Sequence, residues 1–141
     1  MKPINNTFVL VSPDCPATTA IIPSPRGGNP TVAVIQHKLL TTQPYSLTLE
    51  DLIFQTHVLR SNLSTVEMNV RAAEIRKTLF GKSHPCMRAS PLPKQYGWGV
   101  HHDEAGRIAI YGLETEEYRR LASGEIDRLE IVIAMRNKRA K

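Results

Sequence analysis

Apolar and polar positions along the chain change period twice, and each change marks elements of a different kind. Thr7-Phe8-Val9-Leu10-Val11 is an unbroken β-branched and aromatic run stopped by Ser12-Pro13-Asp14, which predicts a strand. Residues 23–30 hold three Pro and two Gly and predict a loop. Val32, Ile35, Leu39 and Leu40 fit one helical face, whereas Thr31-Val32-Ala33-Val34-Ile35 also suits a strand; the length of the segment favours helix. Thr48-Leu49-Glu50-Asp51 reads as a helix cap ahead of an apolar stripe of Leu49, Leu52, Ile53 and Leu59. Ser64-Thr65-Val66-Glu67 reads as a capping box, in which Ser64 and Glu67 each satisfy a free amide. Met68, Ala72, Ile75 and Leu79 then share one face, with Arg71, Glu74 and Lys77 on the wet side. Gly81 is expected to end that helix in the left-handed conformation.

From Trp98 onward the period falls to two. Trp98–His102 and Arg107–Tyr111 flank Asp103-Glu104-Ala105-Gly106, the pattern of a hairpin whose turn closes on glycine. Thr115 caps a short helix through Tyr118, Leu121 and Ala122 that ends at Gly124. Leu129, Ile131, Ile133 and Met135 alternate with Glu130, Val132, Ala134 and Arg136, as in a half-buried strand. The sum predicts a two-layer α+β domain over residues 1–136, with about four mainly antiparallel strands and helices packed on one face.

Composition narrows the function classes without choosing one. With 141 residues, 41% hydrophobic and 22% charged, the chain has the make-up of a single globular domain. No apolar run approaches the roughly 20 residues of a membrane span, and the N-terminal apolar run is too short for a secretory signal. Two Cys in such a chain are expected to be reduced thiols in the cytoplasm. The net charge of +5 suggests a nucleic-acid partner until it is partitioned. Four of the eighteen Lys and Arg side chains lie at the C-terminus, Arg136 and then Lys138, Arg139 and Lys141 of the basic tail over residues 137–141, leaving fourteen against thirteen acids. Within the body, residues 60–102 carry seven basic and two acidic groups, and residues 103–130 carry four basic and eight acidic. A solvated basic tail explains the excess better than nucleic-acid binding, which this charge pattern does not favour.

Candidate chemistry gathers between His84 and His101. His84, Cys86 and Arg88 are spaced by two, so in an extended segment they share a face, and a thiol there is flanked by an imidazole and a guanidinium. That arrangement suits a nucleophilic or redox Cys86 with His84 or His101 as base. The plainer reading makes Cys86 a small core residue, His84 a cap on the preceding helix end and Arg88 a carbonyl or carboxylate ligand. Tyr96-Gly97-Trp98-Gly99 either lets a ligand or another backbone approach the indole, or places Trp98 in the core. His101-His102-Asp103-Glu104 resembles a metal set in composition. Adjacent strand residues point to opposite faces, however, and no four-ligand spacing is present, so no metal or cofactor is expected. The plain reading of these four is a polar, solvent-facing hairpin tip. Arg26-Gly27-Gly28 is a weak candidate for an anion nest. Cys15 forms a redox pair with Cys86 only if the fold brings them together.

Several groups of residues also carry a likeness: Thr7-Phe8 through Asp14-Cys15-Pro16; Pro44-Tyr45 and Leu52-Ile53-Phe54; Pro85-Cys86-Met87-Arg88-Ala89-Ser90-Pro91-Leu92 with Tyr96-Gly97-Trp98-Gly99; and Ala134-Met135-Arg136-Asn137-Lys138-Arg139. Through them the chain resembles a family of small uncharacterised bacterial proteins, a domain of unknown function. The resemblance implies a free-standing cytosolic domain and transfers no activity, cofactor or catalytic residue. The expectation is therefore a binding or interaction domain for a small anionic ligand or a peptide, with Arg88, Tyr96, Trp98 and His101 as contacts. The alternatives are a Cys86/His84 enzyme or thiol redox protein, and nucleic-acid binding through the basic middle segment and tail.

Overall fold

The computed structural model describes residues 3–25, 27, 30–61 and 63–138. Arg26 and Gly28 of the glycine loop, and Arg139 and Lys141 of the tail, lie outside the described residues. The hairpin forms as its pattern predicts: β2 (Trp98–His102) and β3 (Ile108–Gly112) pair antiparallel, with Val100 opposite Ile110. Gly106 takes a φ of +79°, and Asp103 Oδ1 accepts the amides of Ala105 and Arg107 to close the turn. β1 (Thr7–Leu10) pairs antiparallel with β2 and parallel with β4 (Glu130–Ile133), giving the order β3-β2-β1-β4.

The main helical layer comprises α1 (Val32–Thr42), α2 (Leu49–Arg60) and α4 (Pro91–Gln95). Val9, Val100, Ile108 and Ile110 face it and pack with Leu40, Leu47, Leu52, Met87 and Leu92. β1 is apolar on both of its faces, so one layer does not satisfy it. Phe8 points the other way and is covered by Tyr118 and Leu121 of α5 (Glu116–Ala122). The α+β class and the mainly antiparallel sheet are as expected. The helical cover reaches both faces instead of one, because an interior strand with Phe8 and Leu10 on its second side needs cover there too.

Caps follow the local sequence with two differences. Thr48 Oγ1 accepts the Asp51 amide and the Asp51 carboxylate accepts the Thr48 amide, so the reciprocal box sits here at the start of α2. At α3 (Thr65–Leu79) Ser64 accepts from the Glu67 amide, and α3 ends on Phe80 at φ −87° with Gly81 outside the left-handed region. His84 makes the left-handed glycine unnecessary, since its Nε2 is hydrogen-bonded to the Leu79 carbonyl at 2.7 Å. Replacing Thr48 by Ala is expected to lower the unfolding free energy by about 1 kcal/mol, read as a lower urea midpoint at unchanged slope.

The predicted stripe on α3 is buried only at Ile75. α3 leans mainly on α2, through Arg76, which lies 4.1 Å from the Phe54 ring centroid and within 3.7 Å of Glu50 and 3.5 Å of Asp51. With one main neighbour, a helix has one covered flank, and Val66, Val70 and Leu59 of α2 stay exposed.

Candidate functional site

The segment Cys86–Pro91 is built by proline and a cap. Cys86 precedes one turn of 3₁₀ helix over Met87–Ala89, and Ser90 then caps α4 with Pro91 at its first position. Ser90 Oγ accepts the Leu92 amide and donates to Gln36 Oε1 at 2.6 Å, which ties the segment to α1. Met87, 2% exposed, anchors it in the core and leaves Cys86 half-buried at the surface.

A cleft of about 430 Å³ opens between this segment, α1, α2 and the end of α3. Cys86, His84, Gln36 and Ser90 contribute to its wall, and α2 supplies Leu49, Ile53, Thr56, His57 and Arg60. Each of the five lies three or four residues from another of them, with Thr56 and His57 side by side, so they form one broad stripe along a single helix face. The stripe is apolar at the start of α2 and polar at its end. Thr56 is 8% exposed and its Oγ1 has no hydrogen-bond partner, although a helical threonine ordinarily bonds the carbonyl four residues back. An unsatisfied buried hydroxyl costs about 1–3 kcal/mol. Cys86 also borders two further cavities, one of about 420 Å³ beside Phe80 and His84, and one of about 150 Å³ beside Thr7 and His102.

The structure brings together Cys86 and His84 but distributes the other residues singled out from the sequence. His84 uses Nε2 on the Leu79 carbonyl, so Nδ1 is the nitrogen left for other contacts. Arg88 Nε donates to the Ile133 carbonyl at 2.7 Å and the Arg88 carbonyl accepts the Met135 amide, so this residue borders the end of β4. These two placements match the plainer reading of His84 and Arg88. Trp98 Nε1 donates to the Ile21 carbonyl at 2.8 Å, its ring meets His37 edge-on at 5.0 Å, and burial lowers the His37 pKa. Tyr96 accepts the Ile21 amide on its own carbonyl. Gly97, at φ +77°, brings its Cα so close to Thr19 that a Cβ would stand 2.9 Å from the Thr19 carbonyl oxygen. The glycine beside Trp98 thus admits a backbone, that of residues 19–21.

His101 and His102 point to opposite faces, as strand alternation requires. His102 is 1% exposed, so it is not part of a solvent-facing hairpin tip; burial, followed by the nearby His101, lowers its pKa to about 4. His101 Nδ1 is hydrogen-bonded to Tyr45 Oη at 2.8 Å, and Tyr45 Oη to Tyr111 Oη at 2.7 Å. Burial lowers the His101 pKa and raises that of Tyr45, which sits at φ +57°. This second polar cluster depends on a loop residue that local sequence does not place. Cys15 influences Tyr118 on the α5 face, whereas Cys86 packs on the opposite core, so both thiols are free and do not pair. Asp14 joins the two ends of the chain. Its carboxylate accepts the Asn137 amide, the Ser12 hydroxyl and the Lys138 amide, which hold it well below the usual carboxylate range. Among the described residues there is no group of three or more His, Cys, Asp or Glu able to hold a metal ion, and no helix is long and apolar enough to cross a membrane.

The polar residues of α2 are the part of the cleft that sequence reasoning missed. Their signal was present, since Leu49, Ile53, Thr56, His57 and Arg60 recur at helical spacing, but it reads as a stripe that simply runs out into solvent. No curated protein and no solved structure matches the chain. The model of the family of unknown function DUF6157 matches residues 1–140, and the chain belongs to that family.

Proposed function

We propose that this protein is a binding domain for a small anionic ligand, seated in the cleft between α2 and the Cys86–Pro91 segment. The observation that carries this reading is the convergence there of Cys86, His84, His57 and Arg60 with the unpartnered Thr56 hydroxyl. A cleft of about 430 Å³ falls in the range of about 300–1,000 Å³ typical of small-molecule sites. Trp98 Nε1 and His101 Nδ1 are taken up by contacts within the fold, which favours α2 over the Trp98 strand as the binding surface.

Binding accounts for the geometry better than thiol catalysis does. No hydrogen bond joins the Cys86 sulfur to a base among the described residues, and the one His84 makes goes through Nε2 to the Leu79 carbonyl. Nucleic-acid binding is also less well supported. Arg71 pairs with Glu74, Arg76 with Glu50 and Asp51, and Arg88 with the Ile133 carbonyl, so three of the seven basic side chains of the middle segment are used internally.

Cys86 reports on occupancy. Iodoacetamide labelling of the native protein, followed by mass spectrometry, is expected to slow several-fold at Cys86 when a library of organic anions includes a ligand, with Cys15 unchanged. Equal slowing at both thiols, or none across carboxylates, phosphates and acidic peptides, would count against the cleft as the binding site.

A further inference from the structure

We infer that the ligand is an organic monocarboxylate with an extended apolar body, lying along α2 with its carboxylate at Arg60; this rests on the cleft being the binding site. Three observations lead there. First, the wall changes polarity along one direction. Leu49 and Ile53 lie at the start of α2, Thr56 and His57 follow, and Arg60 closes the helix. At 1.5 Å per residue the apolar stretch before Thr56 is about 10 Å long, and Arg60 stands about 16 Å from Leu49. Met87, Leu79 and Val32 continue the apolar wall.

Second, the charge in the cleft has one sign. Of the sixteen lining residues, Arg60, His57 and His84 are basic and none is acidic. Arg60 pairs with no carboxylate among the described residues, whereas Arg71 and Arg76 on the neighbouring helix both do. A guanidinium at the open end of an apolar cleft fits a carboxylate, whose two oxygens match its fork of N–H donors. Third, the Thr56 hydroxyl is unpartnered where the apolar stretch meets the polar end. A single anionic group suffices, because Arg60 is the one Lys or Arg among the lining residues and Leu49, Ile53, Val32, Leu79 and Met87 supply an apolar wall. A longer acidic peptide would leave carboxylates against Leu49 and Ile53.

The test uses the full chain and three decyl compounds differing only in head group: decanoate, decanol and decyltrimethylammonium. Titration calorimetry is expected to show one decanoate per chain, with decanol at least tenfold weaker and the ammonium weaker again. Arg60→Gln should weaken decanoate at least tenfold and leave decanol unchanged. Ala89→Phe and, independently, Ile53→Trp should fill the cleft and abolish both, with folding checked by the unfolding transition of each variant. Decanol binding as tightly as decanoate, or indifference to Arg60→Gln, would overturn the carboxylate while leaving the cleft in place. Decanoate binding that survives both filled variants would overturn the cleft as well. No decanoate binding, with Cys86 protected by an acidic hexapeptide, would overturn this ligand class alone. Failure of both probes would overturn both readings.

Discussion

Replacing Gly99 by alanine is expected to destabilise the fold by about 3 kcal/mol, the upper part of the range for overpacking a core. A Cβ on Gly99 would stand 2.5 Å from Phe8 Cζ and 2.5 Å from Tyr118 Cε2. Neither ring can retreat. Phe8 is 0% exposed and meets Tyr118 edge-on at 5.2 Å, while the Tyr118 hydroxyl accepts the Val11 amide at 2.9 Å and pins the far end of that ring. Gly99 itself is extended backbone, so the penalty is steric and carries no conformational strain. Thermal unfolding should fall by on the order of 10 °C for a chain of this size. In the double variant with Phe8→Leu the loss should be smaller than the sum of the two single losses, because the methyl then has room. A loss below about 0.5 kcal/mol in the single variant would mean that the α5 face is looser than the contacts imply.

Acidification from pH 6.5 to about 4 should remove up to about 3 kcal/mol of stability through His102 alone. The unfolded imidazole takes up its proton near pH 6.5, while the buried one resists until about pH 4. Between those values the unfolded state binds more protons, so stability drops as pH falls; above 6.5 both forms are neutral and the contribution is constant. The lowered pKa of His101 acts in the same direction. Asp14 also has a depressed pKa, and its contribution is lost only as the pH falls below the ordinary carboxylate value, so the two windows separate. Urea unfolding at a series of pH values should therefore show a slope between 6.5 and 4 that His102→Leu largely flattens. An unchanged slope in that variant would assign the acid sensitivity to other groups.

Both effects involve residues whose importance local sequence only half discloses. Gly99 was legible as a position of close approach, but the partners named by the fold are Phe8, 91 residues earlier, and Tyr118 on a helix of the second layer. His102 read as one of four polar residues at a hairpin tip. It became a core residue because the alternation that turns His101 toward Tyr45 turns His102 toward Cys86 and Met87.

By itself the sequence determined the elements and their class, because capping, turn chemistry and hydrophobic period act over a few residues. Thr48, Ser64 and Thr115 each cap the helix that follows, and Gly106 and Gly124 take the positive φ their turns require, whereas the short helix that Ser90 caps was not legible. It offered backbone-binding roles for His84 and Arg88 beside a catalytic one, and the folded chain places both on carbonyls, those of Leu79 and Ile133. The cleft was decided by tertiary structure. Cys86 and His84 come from one segment, but Gln36, Thr56 and Arg60 reach them only when α1 and α2 dock on the sheet. A binding site needs side chains from separate elements to meet around empty space, and no periodicity within a single element encodes that meeting.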